Sequence, residues 1–247
     1  MTRAIPVPFP EGVAAPDAAH AFIESRDGRL CAIDLETGRD RWCVNVAARP
    51  RLVAGRHLIA YDRQGSRENV LKFIALDIER HGASMQQLDP VVLDDWIVVD
   101  DPELEFQTAL WADNGDVVIE WHAKSQYAGG APAPMHIQAA ARREARGRTR
   151  LNLETGRATS EPVVAADPIA GQSGSGAATI PDEAARLVPA DGQSAAVIGP
   201  RLFYLVEPAR PSEGGPRLVS VDVQSGRTLW ERTLPPRPQA RPAARRM

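Results

Sequence analysis

Lysine is nearly missing from this chain: Lys72 and Lys124 are the only two in 247 residues, and arginine supplies the rest of the positive charge. With abundant alanine, proline and glycine, that imbalance fits the mutational bias of a GC-rich bacterial genome rather than a functional demand. Cysteine is as scarce. Cys31 and Cys43 are too few for a framework of disulfides, and they lack the C-x-x-C spacing of a zinc pair. They fall on strands expected to face each other, which leaves a cross-strand contact open; we read them as two small, half-buried hydrophobes. Long apolar runs are also lacking, so no membrane-spanning segment is expected. The opening MTRAIPVPFP has no apolar core resembling a secretory signal, so a cytoplasmic location is expected. A formal net charge of −3 gives no reason to expect a nucleic-acid partner.

Chemistry-bearing motifs are missing too. His20, His57, His81, His122 and His136 show no ligand spacing, and there is neither a G-x-S-x-G elbow nor a phosphate loop ending in lysine. The stretch GQSGSG, residues 171–176, has no following lysine and reads as a flexible loop. No catalytic, cofactor-binding or metal-binding residue is assigned.

What the sequence does hold is a repeat. Aligned on a glycine, four segments read LCAIDLETG ending at Gly38, KFIALDIERHG ending at Gly82, TRLNLETG ending at Gly156, and LVSVDVQSG ending at Gly226. Each alternates side chains with the period of a strand and runs into a turn. The residue four or five places before the glycine, Asp34 and Asp222 among them, can accept from turn amides, while the glycine supplies a positive φ. Trp42 and Trp230 stand four residues past Gly38 and Gly226, on the second strand of a hairpin. Further strand candidates lie upstream of each hairpin, so the unit is four antiparallel strands. Such units in series read as an all-β fold, a β-propeller of four-stranded blades.

The phrase formed by Ala32, Asp34, Thr37, Gly38 and Trp42, and less faithfully by Val221, Asp222, Ser225, Gly226 and Trp230, resembles the blade motif of the quinoprotein-like (PQQ-like) β-propeller repeat family. The resemblance implies that Trp42 and Trp230 pack between blades. The second and third copies depart from it, with Gln86 and Ser160 where tryptophan would stand. A pyrroloquinoline quinone dehydrogenase is argued against, because such enzymes resemble one another in a longer exported chain with adjacent cysteines at the quinone.

Four blades are expected, roughly over residues 11–48, 49–92, 105–165 and 190–235, with a basic Pro/Ala/Arg-rich tail over 236–247. The second and third glycine intervals exceed a usual blade of roughly 40 to 50 residues. Long insertions over 126–141 and 163–190 are therefore expected, and the segment Asp94 to Asp101 is a candidate extra strand. The first blade lacks an inner strand, which Ile5 to Val13, or a strand from the C-terminal end, could supply. Family members commonly close with about eight blades, so the ring could be incomplete. Two charge clusters are candidate partner contacts: Asp94, Asp95, Asp100 and Asp101, and Arg142, Arg143 and Arg146. The expected role is a non-catalytic platform binding another protein, or a second copy completing a larger ring. The alternative is a small-ligand- or metal-binding propeller enzyme using the central channel.

Overall fold

The computed structural model describes residues 3–25, 28–62, 69–99, 104–125, 144–161, 180–190, 192–208, 210 and 214–234. The tail, most of both expected insertions, and Asp100, Asp101, Arg142 and Arg143 lie outside them.

Four sheets follow one another along the chain, each a meander of antiparallel strands. The first blade contains β2 (Val7–Phe9), β3 (Gly12–Ala14), β4 (His20–Glu24), β5 (Leu30–Asp34) and β6 (Asp40–Val44). Its two inner strands come from the N-terminal stretch, as the missing strand in the sequence suggested. The second contains β7 (Ala48–Ala54), β8 (His57–Asp62), β10 (Phe73–Asp77) and β11 (Met85–Gln87). The third is built from β13 (Leu104–Asp113), β14 (Asp116–Ser125), β15 (Glu144–Asn152) and β16 (Ala158–Glu161). The fourth contains β17 (Gly192–Ile198), β18 (Arg201–Val206), β19 (Arg217–Asp222) and β20 (Thr228–Thr233).

The extra-strand candidate is corrected. Among the described residues, 94–99 form no strand, with turns only at 95, 96 and 99, and are preceded by a two-stranded ladder in which β12 (Val91–Val92) pairs with β9 (Val70–Leu71). The physical reason is the pull of the core. Ile97 is fully buried and Trp96 packs beside it in the cluster between the second and third blades, so the chain must curl inward there. An exposed alternating strand could not bury both neighbours on one side.

Each blade alternates faces, and the stacking of those faces defines the core. Ile23, Cys31 and Ile33 of the first blade pack with Phe203, Leu205 and Leu218 of the fourth. The first blade's other face, with Phe22, Leu30 and Ala32, packs on Leu58, Ala60 and Ile74 of the second. Leu52, Ile59 and Phe73 of the second then meet Leu110, Ile119 and Trp121 of the third. The stack therefore runs fourth, first, second, third. The remaining face of the fourth blade, with Leu202, Tyr204 and Val219, is covered by Ile180, Ala184, Leu187 and Val188, a segment containing one helical turn, Asp182–Ala185. Among the described residues no hydrophobic cluster contains both third-blade and fourth-blade residues.

One strand breaks the one-blade-after-another order. The N-terminal β1 (Arg3–Ala4) adds to the inner edge of the third blade, Arg3 opposite Asp113 and Ala4 opposite Ala112. The chain then enters β2, the inner edge of the first blade. Three residues into the sequence, the backbone already ties together two blades that are not sequence neighbours.

Candidate functional site

The repeated turns are the joints of the stack. In the first, Asp34 Oδ1 accepts from the backbone N–H of Glu36 at 3.0 Å and of Thr37 at 2.9 Å, and from the Thr37 hydroxyl at 3.0 Å. The Gly38 N–H donates to the Asp34 carbonyl at 2.8 Å. Asn152 repeats this with Thr155 at 2.8 and 2.9 Å, and Asp222 with Ser225 at 2.7 and 2.6 Å. In the second repeat, whose turn is a residue longer, Asp77 Oδ1 accepts from the Arg80 N–H at 3.2 Å and Gly82 closes onto the Asp77 carbonyl at 2.8 Å. These bonds favour the charged carboxylates. Burial pushes Asp34 up, but the Thr37 and Glu36 donors outweigh it and hold its pKa below the ordinary value; at Asp222 the Ser225 hydroxyl and N–H lower it.

Three of the four turn glycines, Gly38, Gly82 and Gly156, sit under a side chain from the preceding blade in the stack. Gly38 has φ +71°, and a Cβ placed there would stand 2.6 Å from the Trp230 ring. The Trp230 Nε1–H donates to the Leu35 carbonyl at 3.1 Å, while Arg232 donates to the Gly38 carbonyl at 3.3 Å and to Asp40 at 2.6 Å. Trp42 lies over Gly82 in the same way, 2.9 Å from a Cβ placed there. Both tryptophans thus pack between blades.

Where the third turn waits for a tryptophan, Gln86 takes the place. With its amide turned so that both ends are satisfied, it donates to the Leu153 carbonyl and accepts from the Gly156 N–H, each at 3.0 Å. Leu153 precedes Gly156 as Leu35 precedes Gly38, so an amide reproduces the indole's hydrogen bond at the matching carbonyl. At the fourth turn Leu187 approaches Gly226, at 3.3 Å from a Cβ built there, in place of any third-blade residue.

The cysteines are corrected. Cys31 and Cys43 are register partners across β5 and β6, and their sulfurs are joined in a disulfide. Facing positions on adjacent strands bring the two Cα atoms to 4.1 Å, so one bond closes the hairpin. Asp40 lies close enough to complete a three-residue metal-type cluster, but both sulfurs are spent on each other.

The charged candidates among the described residues, Asp94, Asp95 and Arg146, each have a partner within the chain. Asp94 Oδ2 accepts from Trp96 Nε1–H at 3.3 Å, and Asp95 accepts from the Asn69 amide at 3.3 Å. Arg146 pairs with Glu144 at 3.1 Å, and Glu144 also meets His122 at 2.9 Å; hydrogen bonds from His122 and then Arg146 hold the Glu144 carboxyl below its ordinary pKa. Further along β15, Arg148 pairs with Glu120 at 2.8 Å and lies over the Trp111 ring. Arg150 joins Glu161 at 2.6 Å and Asp113 at 3.1 Å, and those two bonds raise its pKa. The alternation of β14 and β15 puts this ionic network on the third blade's face opposite the one that meets the second blade. Sequence reading found the arginines but missed Glu120, Glu144 and Glu161; the alternation of Arg146, Arg148 and Arg150 along a strand was the available signal.

Four-stranded blades, stacked through a turn glycine and a tryptophan or its substitute, define a PQQ-repeat β-propeller. The chain belongs to the family described as outer membrane protein assembly factor BamB, which matches residues 3–247. Among solved structures, BamB from Moraxella catarrhalis is similar at 15% identity and a TM-score of 0.33, over 92% of this chain and 64% of that one. The quinohemoprotein alcohol dehydrogenase ADHIIG from Pseudomonas putida HK5 is similar at 12% identity and a TM-score of 0.26, over 89% of this chain and 40% of that one. The chain therefore spans about two thirds or less of the length of either structure. No curated protein matches.

Proposed function

We propose that this protein is a non-catalytic interaction platform that serves the assembly of outer membrane proteins as a subunit of a larger complex. The observation that carries the reading is the family match along residues 3–247 to an assembly factor. The geometry is in keeping with it. The outermost strands β11 and β20 carry exposed apolar residues, Met85 and Leu229, of the kind that anchor a partner.

The location expected from the N-terminus, the cytoplasm, fits this role less well than an oxidising compartment outside the inner membrane. The Cys31–Cys43 disulfide supports the latter, because such bonds persist where thiols are not kept reduced. The test is deletion of the gene in its host, with quantification of outer membrane proteins, alongside photo-crosslinking from position 85. A lowered content of outer membrane β-barrels and a discrete crosslinked protein are expected. An unchanged profile with no crosslinked species would reject the proposal.

A further inference from the structure

Among the described residues, the seam between the second and third blades holds a cation, Arg51, whose hydrogen-bond partner is a hydroxyl and not a carboxylate. In β7 the pairing with β8 runs Pro50 to Ala60 and then Leu52 to Ile59, so Arg51 is the extra residue of a β-bulge. The bulge inverts the strand's alternation. Before it Ala48 faces the first blade; after it Val53 does, while Leu52 and Ala54 face the third. By the same alternation Arg49, opposite Tyr61, lies on the side toward the third blade. Bulges re-aim a side chain in this way.

Arg51 uses the freedom to cross the seam: its Nη2–H donates to Thr108 Oγ1 of β13 at 2.9 Å. A neutral hydroxyl is a poor partner for a partly buried guanidinium. The surrounding positions offer nothing better among the described residues. Ile59 and Tyr61 on β8, and Phe106 and Leu110 on β13, are all uncharged and belong to or pack against the seam's hydrophobic cluster. Asp77, at the far end of β10, is engaged by Arg56 at 2.7 Å. Arg49 adds a second positive charge. Burial, and then Arg49, push the Arg51 pKa below its ordinary value, so the folded chain holds this charge against a cost that a bound anion would offset.

We propose that Arg51, with Arg49 beside it and Thr108 fixing its guanidinium, is a binding site for the oxyanion group of a small molecule, a carboxylate or a phosphate, at the inner seam of the second and third blades. The planar guanidinium fork matches two oxygens of either group, whereas chloride can occupy only one position of it. The Thr108 hydroxyl accepts from Arg51 and keeps its own proton to donate to the anion. The site is independent of the platform role.

The test uses the full chain and three sodium salts at matched ionic strength: phosphate, malonate and chloride. Thermal unfolding and titration calorimetry are read for each. Phosphate or malonate is expected to raise the melting temperature above the chloride value in a concentration-dependent manner. Arg51→Gln should weaken the apparent affinity about tenfold or more, and Arg49→Gln, at an exposed position, by a few-fold. A response to phosphate alone assigns a phosphate-bearing ligand, and a response to malonate alone a carboxylate. If neither salt exceeds chloride, or if the variants respond as the parent does, the proposal is overturned. Should Arg51→Gln fail to fold, Arg49→Gln decides.

Discussion

The indole Nε1–H of Trp230 donates to the carbonyl of Leu35 at 3.1 Å, joining residues 195 positions apart in the chain. That bond fastens the last blade onto the turn of the first. Replacing Trp230 by Phe keeps a ring at the seam and removes the donor, which should cost about 1 kcal/mol. Trp230→Ala, which also empties the space beside Phe203 and Gly38, should cost about 3 kcal/mol. Urea unfolding of the two variants measures both, and equal losses would mean that the ring's packing contributes nothing.

Gly38 and Gly55 separate two causes of strain. Both have positive φ, +71° and +59°, but a Cβ at Gly38 meets Trp230 whereas nothing lies within 4 Å of one at Gly55. Gly55→Ala should lose about 1 kcal/mol from the backbone alone. Gly38→Ala should lose about 2 kcal/mol more, because the indole must move. Denaturant midpoints of the pair test this, and a Gly38→Ala loss no larger than that of Gly55→Ala would remove the inter-blade joint from the account.

Thiol titration of the unfolded, unreduced protein should find no free cysteine, and two after a dithiol reductant. The bond closes a short loop, sequence separation 12, so its loss in Cys31→Ala/Cys43→Ala should lower stability by about 3 kcal/mol. Two reactive thiols in protein isolated from its native compartment would contradict the disulfide.

Stability should fall in acid for a stated reason. Asp34, Asp77 and Asp222 all have folded-state pKa values below the ordinary one. A depressed carboxyl contributes stability above its unfolded pKa, about 4, and the contribution is lost as pH falls through the folded value. The urea midpoint should therefore be level from neutrality to mildly acidic pH and drop below about pH 4. Asp222→Asn should show a smaller drop than the parent over the same interval; an identical profile would clear Asp222 of any part in it.

The blades were legible because their signals are local. A glycine at positive φ and an acceptor four or five residues before it are written within one turn, and Asp34, Gly38, Asp222 and Gly226 show both in the sequence. Facing strands could be read for Cys31 and Cys43 as well. A bond between them could not, since two buried small side chains have the same pattern. Gln86 looked like a lost tryptophan because its role lies in a carbonyl of another blade, that of Leu153. Strand β1 is two residues long and pairs with residues more than a hundred positions away, so no periodicity could announce it. The bulge at Arg51 was hidden for a related reason: an inverted alternation is visible only once both faces have neighbours.

The path of the first nine residues also governs how the protein can be made. Arg3 needs Asp113 before it has a partner, and Phe9 needs Phe203, whose ring lies 5.1 Å away. Val7–Phe9 pairs locally with Gly12–Ala14, whereas Arg3 waits for the third blade and the Phe9 ring for the fourth. Chains halted before the final sheet would display Ile23, Ile33 and Phe9 to the solvent, so the fourth blade is what hides the first blade's apolar face from non-native association.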